Sequence, residues 1–220
     1  MKRLALLVCC VAFSVAAGWA GVTGSTNPAL FTQDSVDWCQ YGCYGGQFAS
    51  PQTFVSNLGA TGSVGLVGTL QGFYNLQDGF SWGGGFPFGM GLIYNGAAFG
   101  NTPTQIAATF DNGVWGAGAW IQDNYIGVPF TATIELFDSS YLPLGSFSAG
   151  GVGNNLLFVG AFSSTPIWAV QFDLVDQGGN EDFAIGTLQT GTPEPNTLLL
   201  VVPSALGLAG VLRRRLKGVL

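Results

Sequence analysis

Carboxylates are the strongest chemistry that the body of this chain offers. Asp173, Asp176, Glu181 and Asp182 fall within ten residues around Gly178-Gly179-Asn180. A turn carrying several acidic oxygens with no cation beside it suits calcium, which takes about six to eight oxygen ligands. The spacing is not that of an EF-hand loop. The same residues also read as a solvated acidic turn that keeps an almost uncharged domain in solution. Asp34 and Asp37 make a second, thinner grouping. Two of these acids would serve as a glycosidase pair only at a separation of about 5 Å or about 6.5–9.5 Å. Sequence spacing does not set that distance.

The charge distribution excludes much else. The six basic residues are Lys2, Arg3, Arg213, Arg214, Arg215 and Lys217, and there is no histidine. Residues 4–212 hold all twelve carboxylates and not one Lys or Arg. Such a body cannot neutralise phosphates, so nucleic acid is not an expected partner. Without His, Ser-His-Asp and Cys-His nucleophiles are excluded, as are His-bearing zinc sites. The chain is therefore read as non-catalytic, with calcium the one cofactor its residues argue for.

Cys39 and Cys43, four positions apart in Trp38-Cys39-Gln40-Tyr41-Gly42-Cys43, suit a small disulfide loop in an oxidising compartment. Two Cys without His make a poor closed zinc site. The Gly-rich stretch Ser81 to Gly89 holds Trp82, Phe86 and Phe88 but no Lys, so it is not a phosphate loop. It reads as an irregular loop covering the core, with an aromatic sugar-stacking surface as the alternative.

These residues need a scaffold, and the pattern predicts strands. With 35 Gly, 10 Pro and 48% apolar residues, the chain is neither a helical bundle nor a disordered tail. Period-2 alternation recurs over Thr104–Phe110, Thr131–Phe137, Leu156–Phe162, Trp168–Leu174 and Phe183–Leu188. Turn signals separate the runs at Asp111-Asn112-Gly113, Asp138-Ser139-Ser140, Gly150-Gly151 and Gly178-Gly179-Asn180. The expected fold is all-β: an antiparallel two-sheet β-sandwich, jelly-roll-like, over residues 21–190.

The two ends read as addresses. Residues 1–20 have a basic start, an apolar run and small residues before Ala20, the pattern of a cleaved signal peptide. Cys9 and Cys10 would leave with it. At the other end, Thr192-Pro193-Glu194-Pro195 precedes an uncharged apolar stretch, Thr197 to Leu212, and then Arg213-Arg214-Arg215. As a transmembrane helix that stretch spans about 24 Å, slightly under a hydrocarbon core of about 30 Å. The arginines act as its cytoplasmic stop.

Pro-Glu-Pro, a short apolar segment and an Arg-rich tail together resemble the PEP-CTERM sorting signal, here over residues 191–220. The resemblance implies recognition at Pro193, Glu194 and Pro195 and processing by exosortase, a membrane-embedded cysteine transpeptidase. It also implies export across the inner membrane, transient anchoring, and delivery to the cell surface or extracellular polysaccharide. The stretch Thr104–Gln189 resembles the sandwich domain often found before such signals. It carries Ala132 to Asp138, Leu144-Gly145-Ser146-Phe147, Trp168 to Asp173 and Asp182 to Leu188. It departs at Gly186-Thr187, where that family has Asp-Asn. The implied function is a structural or adhesive surface protein. A calcium-dependent carbohydrate-binding module is the first alternative and a carboxylate-pair glycosidase the second.

Overall fold

The computed structural model describes residues 21–42, 45–68, 72–79, 81–83, 85–97, 101, 104–153 and 155–191. The expected signal peptide, the Pro-Glu-Pro motif, the apolar helix 197–212, the arginine stop and Cys43 lie outside these residues. Among the described residues no helix is long and apolar enough to cross a membrane.

The fold is all-β, as the alternation predicts. In chain order the strands are β1 (Val22–Ser25), β2 (Asp34–Val36), β3 (Gly46–Phe48), β4 (Gln52–Val55), β5 (Thr61–Leu66) and β6 (Phe73–Gln77). Then come β7 (Gly91–Tyr94), β8 (Ile106–Asp123), β9 (Pro129–Phe137), β10 (Pro143–Val152), β11 (Leu157–Asp176) and β12 (Phe183–Gly191). All the strand pairs are antiparallel. Two very long strands, β8 and β11, form a shared spine. The first half of β8 and the second half of β11 sit in a layer ordered β4-β5-β8-β11-β9-β10. Their other halves sit in a second layer with β1, β12, β2, β7, β6 and β3.

The spine corrects part of the sequence reading. Asp111-Asn112-Gly113 is not a hairpin turn, because β8 runs straight through it. Leu156–Phe162 and Trp168–Leu174 are likewise two halves of one strand. Opposite Phe110 to Gly113 strand β11 has Trp168 alone, and opposite Trp115 it has Ser163 to Pro166, so the β8–β11 register shifts between Phe162 and Ile167 and again before Ala169. Proline has no N–H to give a ladder, so it is tolerated where pairing is already irregular. Gly113 lets the strands close there: a Cβ on it would stand 2.8 Å from Pro166 Cβ and 3.1 Å from Trp168 Nε1. The turn chemistry thus bends a strand pair instead of ending it. Gly150-Gly151 also stays inside a strand, β10. Asp138-Ser139-Ser140 and Gly178-Gly179-Asn180 are turns as expected.

Inward residues of both layers enter one core. Ile106, Ala108 and Phe110 meet Ala132, Ile134 and Leu136, and then Val170, Phe172 and Leu174. Trp38 joins them from the 3-10 turn Trp38–Tyr41, its indole N–H donating to Gly186 O at 2.7 Å. Asp37 caps that turn, accepting from Cys39 N at 2.9 Å. Beside the spine, β1 packs against β10, where Phe147 occupies the space a side chain at Gly24 would need.

The outer surfaces of the layers differ. Over the second layer lies the Gly-rich loop, whose Trp82 and Phe86 bury themselves against Leu76, Leu92, Tyr94 and Ala184. Phe31 covers the rest by stacking on Phe162, with ring centroids 4.3 Å apart. Over the first layer the outward residues remain exposed or half-exposed: Ser63, Thr109, Gln171, Glu135, Thr133 and Ser148 among them.

Candidate functional site

The site that concentrates titratable groups lies where β8 and β11 end and β12 begins. Asp123 closes β8, Asp176 closes β11, and Asp182 immediately precedes Phe183, which pairs with Asp123. Asn124 N donates to Asp182 O at 2.9 Å, drawing the β8 end and the β12 start together. Asp182 is 3% exposed. Its two oxygens accept from Tyr94 Oη at 2.5 Å and Asn124 Nδ2 at 2.9 Å. Asp176 instead folds back on its own turn, accepting from Asn180 N at 2.8 Å and Asn180 Nδ2 at 2.9 Å.

Asp123 is the member that the sequence reading missed. It is 1% exposed. One oxygen accepts from Tyr125 N at 3.1 Å, while the other, Oδ2, is buried with no hydrogen-bond partner. Burial, helped by the charges of Asp176 and Asp182, pushes its carboxyl up to about 6 against the pull of the Tyr125 and Asn124 N–H groups. No local signal marks it, since Ile121-Gln122-Asp123 reads as one more strand end. Only the pairing of three distant segments brings it beside two other acids.

The four acids expected to hold calcium divide between two places. Asp176 and Asp182 sit with Asp123. Asp173 lies on the outer surface of the first layer, accepting from Gln105 Nε2 at 3.3 Å, and faces Glu181 electrostatically. Burial first, and Asp173 second, hold Glu181 above the ordinary glutamate range. The Asn180 side chain, aided by backbone N–H groups, holds Asp176 below its ordinary value. Among the described residues no three Asp, Glu or Cys side chains are grouped so as to hold a metal ion. Asp34 and Asp37 do not form a site either. Asp34 accepts from Ser56 Oγ at 2.5 Å and Leu58 N at 3.0 Å, pinning the β4–β5 loop. A cavity of about 240 Å³ beside it is lined by Phe31, Asn57, Leu58 and Gln189.

One rule covers most of these acids. With no cation between residues 4 and 212, the carboxylates are balanced by backbone N–H groups of their own loops. Asp34, Asp37, Asp123, Asp138 and Asp176 all accept such bonds, Asp34 from Ser35 N. Charge-assisted bonds of this kind are stronger than neutral ones and fix loop shape. Asp123 Oδ2, like Asp173 Oδ1, is buried outside this scheme, and for Asp123 burial holds the carboxyl up.

Gly186, where the resembled sandwich domain has Asp, lies beneath the Gly-rich loop. A Cβ there would stand 2.7 Å from Met90 Sδ and 3.1 Å from Phe86. The Met90 and Phe86 side chains occupy the place of any larger side chain there.

No family model matches the chain, and no curated protein matches it. Among solved structures it is similar to a DUF4465 family protein from Bacteroides caccae, at 12% identity and a TM-score of 0.44, over 71% of this chain and 99% of that one. It is also similar to two mutants of family 29 carbohydrate-binding modules. One covers 79% of this chain and 94% of its own, at 10% identity and a TM-score of 0.29. The other covers 60% and 93%, at 11% identity and a TM-score of 0.29. These are distant likenesses between β-rich chains, and no function passes through them.

Proposed function

We propose that this chain is an exported, non-catalytic β-sandwich with a structural or adhesive role at the cell surface or in extracellular polysaccharide. A PEP-CTERM signal delivers it there, and exosortase processes it. The observation that supports this reading is an antiparallel all-β body filling the described residues between the two expected addresses, its strands running from Val22 to Gly191. The non-catalytic reading rests on a body without Lys, Arg or His between residues 4 and 212. In an exported protein Cys39 and Cys43 form a disulfide, and mass spectrometry under non-reducing conditions reads it directly. The sorting test replaces Pro193, Glu194 and Pro195 with Ala in the native host. Loss of C-terminal processing and of surface delivery is expected, and unchanged processing would overturn the reading.

A second reading, glycan binding, is favoured by the exposed surface of the first layer. Its paired hydroxyls, Ser63 with Thr109 and Thr133 with Ser148, both at 2.8 Å, lie beside Gln171 and Glu135. A broad array of hydroxyl and amide groups can exchange hydrogen bonds with a polysaccharide. A pull-down on the producing cell's own polysaccharide tests it, with calcium and with chelator. Saturable binding that survives chelator supports contact through this surface. Chelator-sensitive binding would move the contact to the acidic turn, and no binding would leave the structural role alone.

A further inference from the structure

Strand β10 ends the strand order and, among the described residues, pairs with β9 alone. It is ten residues long, whereas the other edges are short: four residues in β1, three in β3 and four in β4. Long edges present unpaired N–H and C=O groups and are normally guarded by charges, proline or a bulge. In β10 the proline and a bulge stand only at its start, between Pro143 and Gly145, and from Gly145 to Val152 there is no charge and no proline. Its outward residues are small, Ser146, Ser148 and Gly150, all exposed. Phe147 turns inward onto Gly24.

We infer that β10 is a self-association edge, pairing antiparallel with β10 of a second copy of this chain about a two-fold axis at Phe147. The exposed apolar residues select this partner. Of the ten exposed large hydrophobics among the described residues, five stand at the two ends of β10. Tyr141 and Leu142, 66% and 62% exposed, precede it. Val152 ends it at 42% exposed, beside Tyr125 and Ile126 at 43% and 76%. Gly127 N, donating to Gly153 O at 3.0 Å, ties that second group to the strand. Antiparallel pairing with the axis at Phe147 sets Ser146 of one copy against Ser148 of the other and brings the Leu142 end, beyond the bulge between Pro143 and Gly145, beside the Val152 end of the partner. The apolar ends therefore cover one another, as an isologous interface requires. Charge favours the same edge. Acidic bodies without cations repel one another, and the repulsion is weakest along a strand that carries no charge.

The test is sedimentation velocity on the exported protein, produced from the full chain, over a concentration series. A dimer is expected, with twice the monomer mass. Ser148→Glu places a carboxylate on the pairing edge and halves the measured mass, while Ser148→Thr leaves the dimer intact. Should Ser148→Glu fail to fold, as a thermal melt would show, Leu142→Gln outside the strand is the second variant and must also halve the mass. A monomer at every concentration overturns the inference. So does a dimer that persists in the folded variants, or an assembly larger than a dimer. This outcome is independent of the sorting signal.

Discussion

The outer surfaces of the two layers are built to opposite rules. The second layer is roofed: Phe31 lies on Phe162, and Trp82 and Phe86 lie on Leu92, Tyr94 and Ala184. Its outward strand residues are accordingly large and apolar, and glycines accommodate the roof. A Cβ at Gly160 would stand 2.6 Å from the Phe31 ring. The first layer carries Ser, Thr, Gln and acids on the corresponding surface. Its hydroxyls pair with one another across strands. Similar strands thus differ outside because one layer must bury apolar loops and the other must face water. The roofed layer holds stability, and the bare layer is free for contact.

The sharpest way to break this contrast is Phe86→Ala. If the roof is a true extension of the core, removing this 4% exposed ring costs about 3 kcal/mol in urea denaturation. A loss below about 1 kcal/mol would make the roof a loose loop and the two surfaces alike.

Next in size is the titration of Asp123, at the end of the core between the layers. Its carboxyl is raised to about 6 in the folded protein, above its unfolded value. Stability from protonated Asp123 is therefore full below about pH 4 and lost as pH rises through about 6. Asp176 has the opposite sign: lowered in the fold, it contributes above its unfolded range and loses that contribution in stronger acid. Urea melts from pH 4 to 8 should show stability falling by about 1 kcal/mol through pH 6, discounted for solvent screening. Asp123→Asn should flatten that slope. A slope unchanged by the substitution would place the proton elsewhere.

Asp138→Ala removes the acceptor for Ser140 N and Leu142 N, at 2.8 Å and 2.9 Å, in the β9–β10 turn. About 1 kcal/mol of stability should go with it, as for a lost cap. The same melt should leave the roofed layer's near-ultraviolet tryptophan signal unchanged, because the turn belongs to the bare layer.

The smallest effect is expected on the bare surface. Thr133→Ala breaks only the hydroxyl pair with Ser148 and should shift stability by less than about 0.5 kcal/mol. A larger loss would show the surface to be structural, and would weaken it as a place for glycan contact.

Much of the fold was legible because alternation is a local signal. Ala132, Ile134 and Leu136 were placed on one side of a strand, and all three are buried in the core. The Gly-rich loop was read as a cover and is one. The misreadings share a cause. Asp111-Asn112-Gly113 has turn chemistry, but β8 and β11 keep pairing past it, and the signal became a bend. Of the acids, Asp176 and Asp182 are near neighbours in sequence and in space, while Asp173 is not with them. Alternation sends Asp173 to the outer surface and Asp176 to the strand end, a divergence that spacing in a sequence does not show.

Composition alone determined that this body carries acids without cations, and hence that its carboxylates must find other donors. Periodicity alone determined that it is made of strands. Only the tertiary structure decided which donors those are: loop N–H groups for Asp37, Asp138 and Asp176, and side chains of distant segments for Asp173 and Asp182. It alone set Asp123 beside Asp176 and Asp182, because β-pairing joins residues far apart in sequence. It also left β10 as the long uncharged edge, since an edge is a property of strand order and no single strand contains that order.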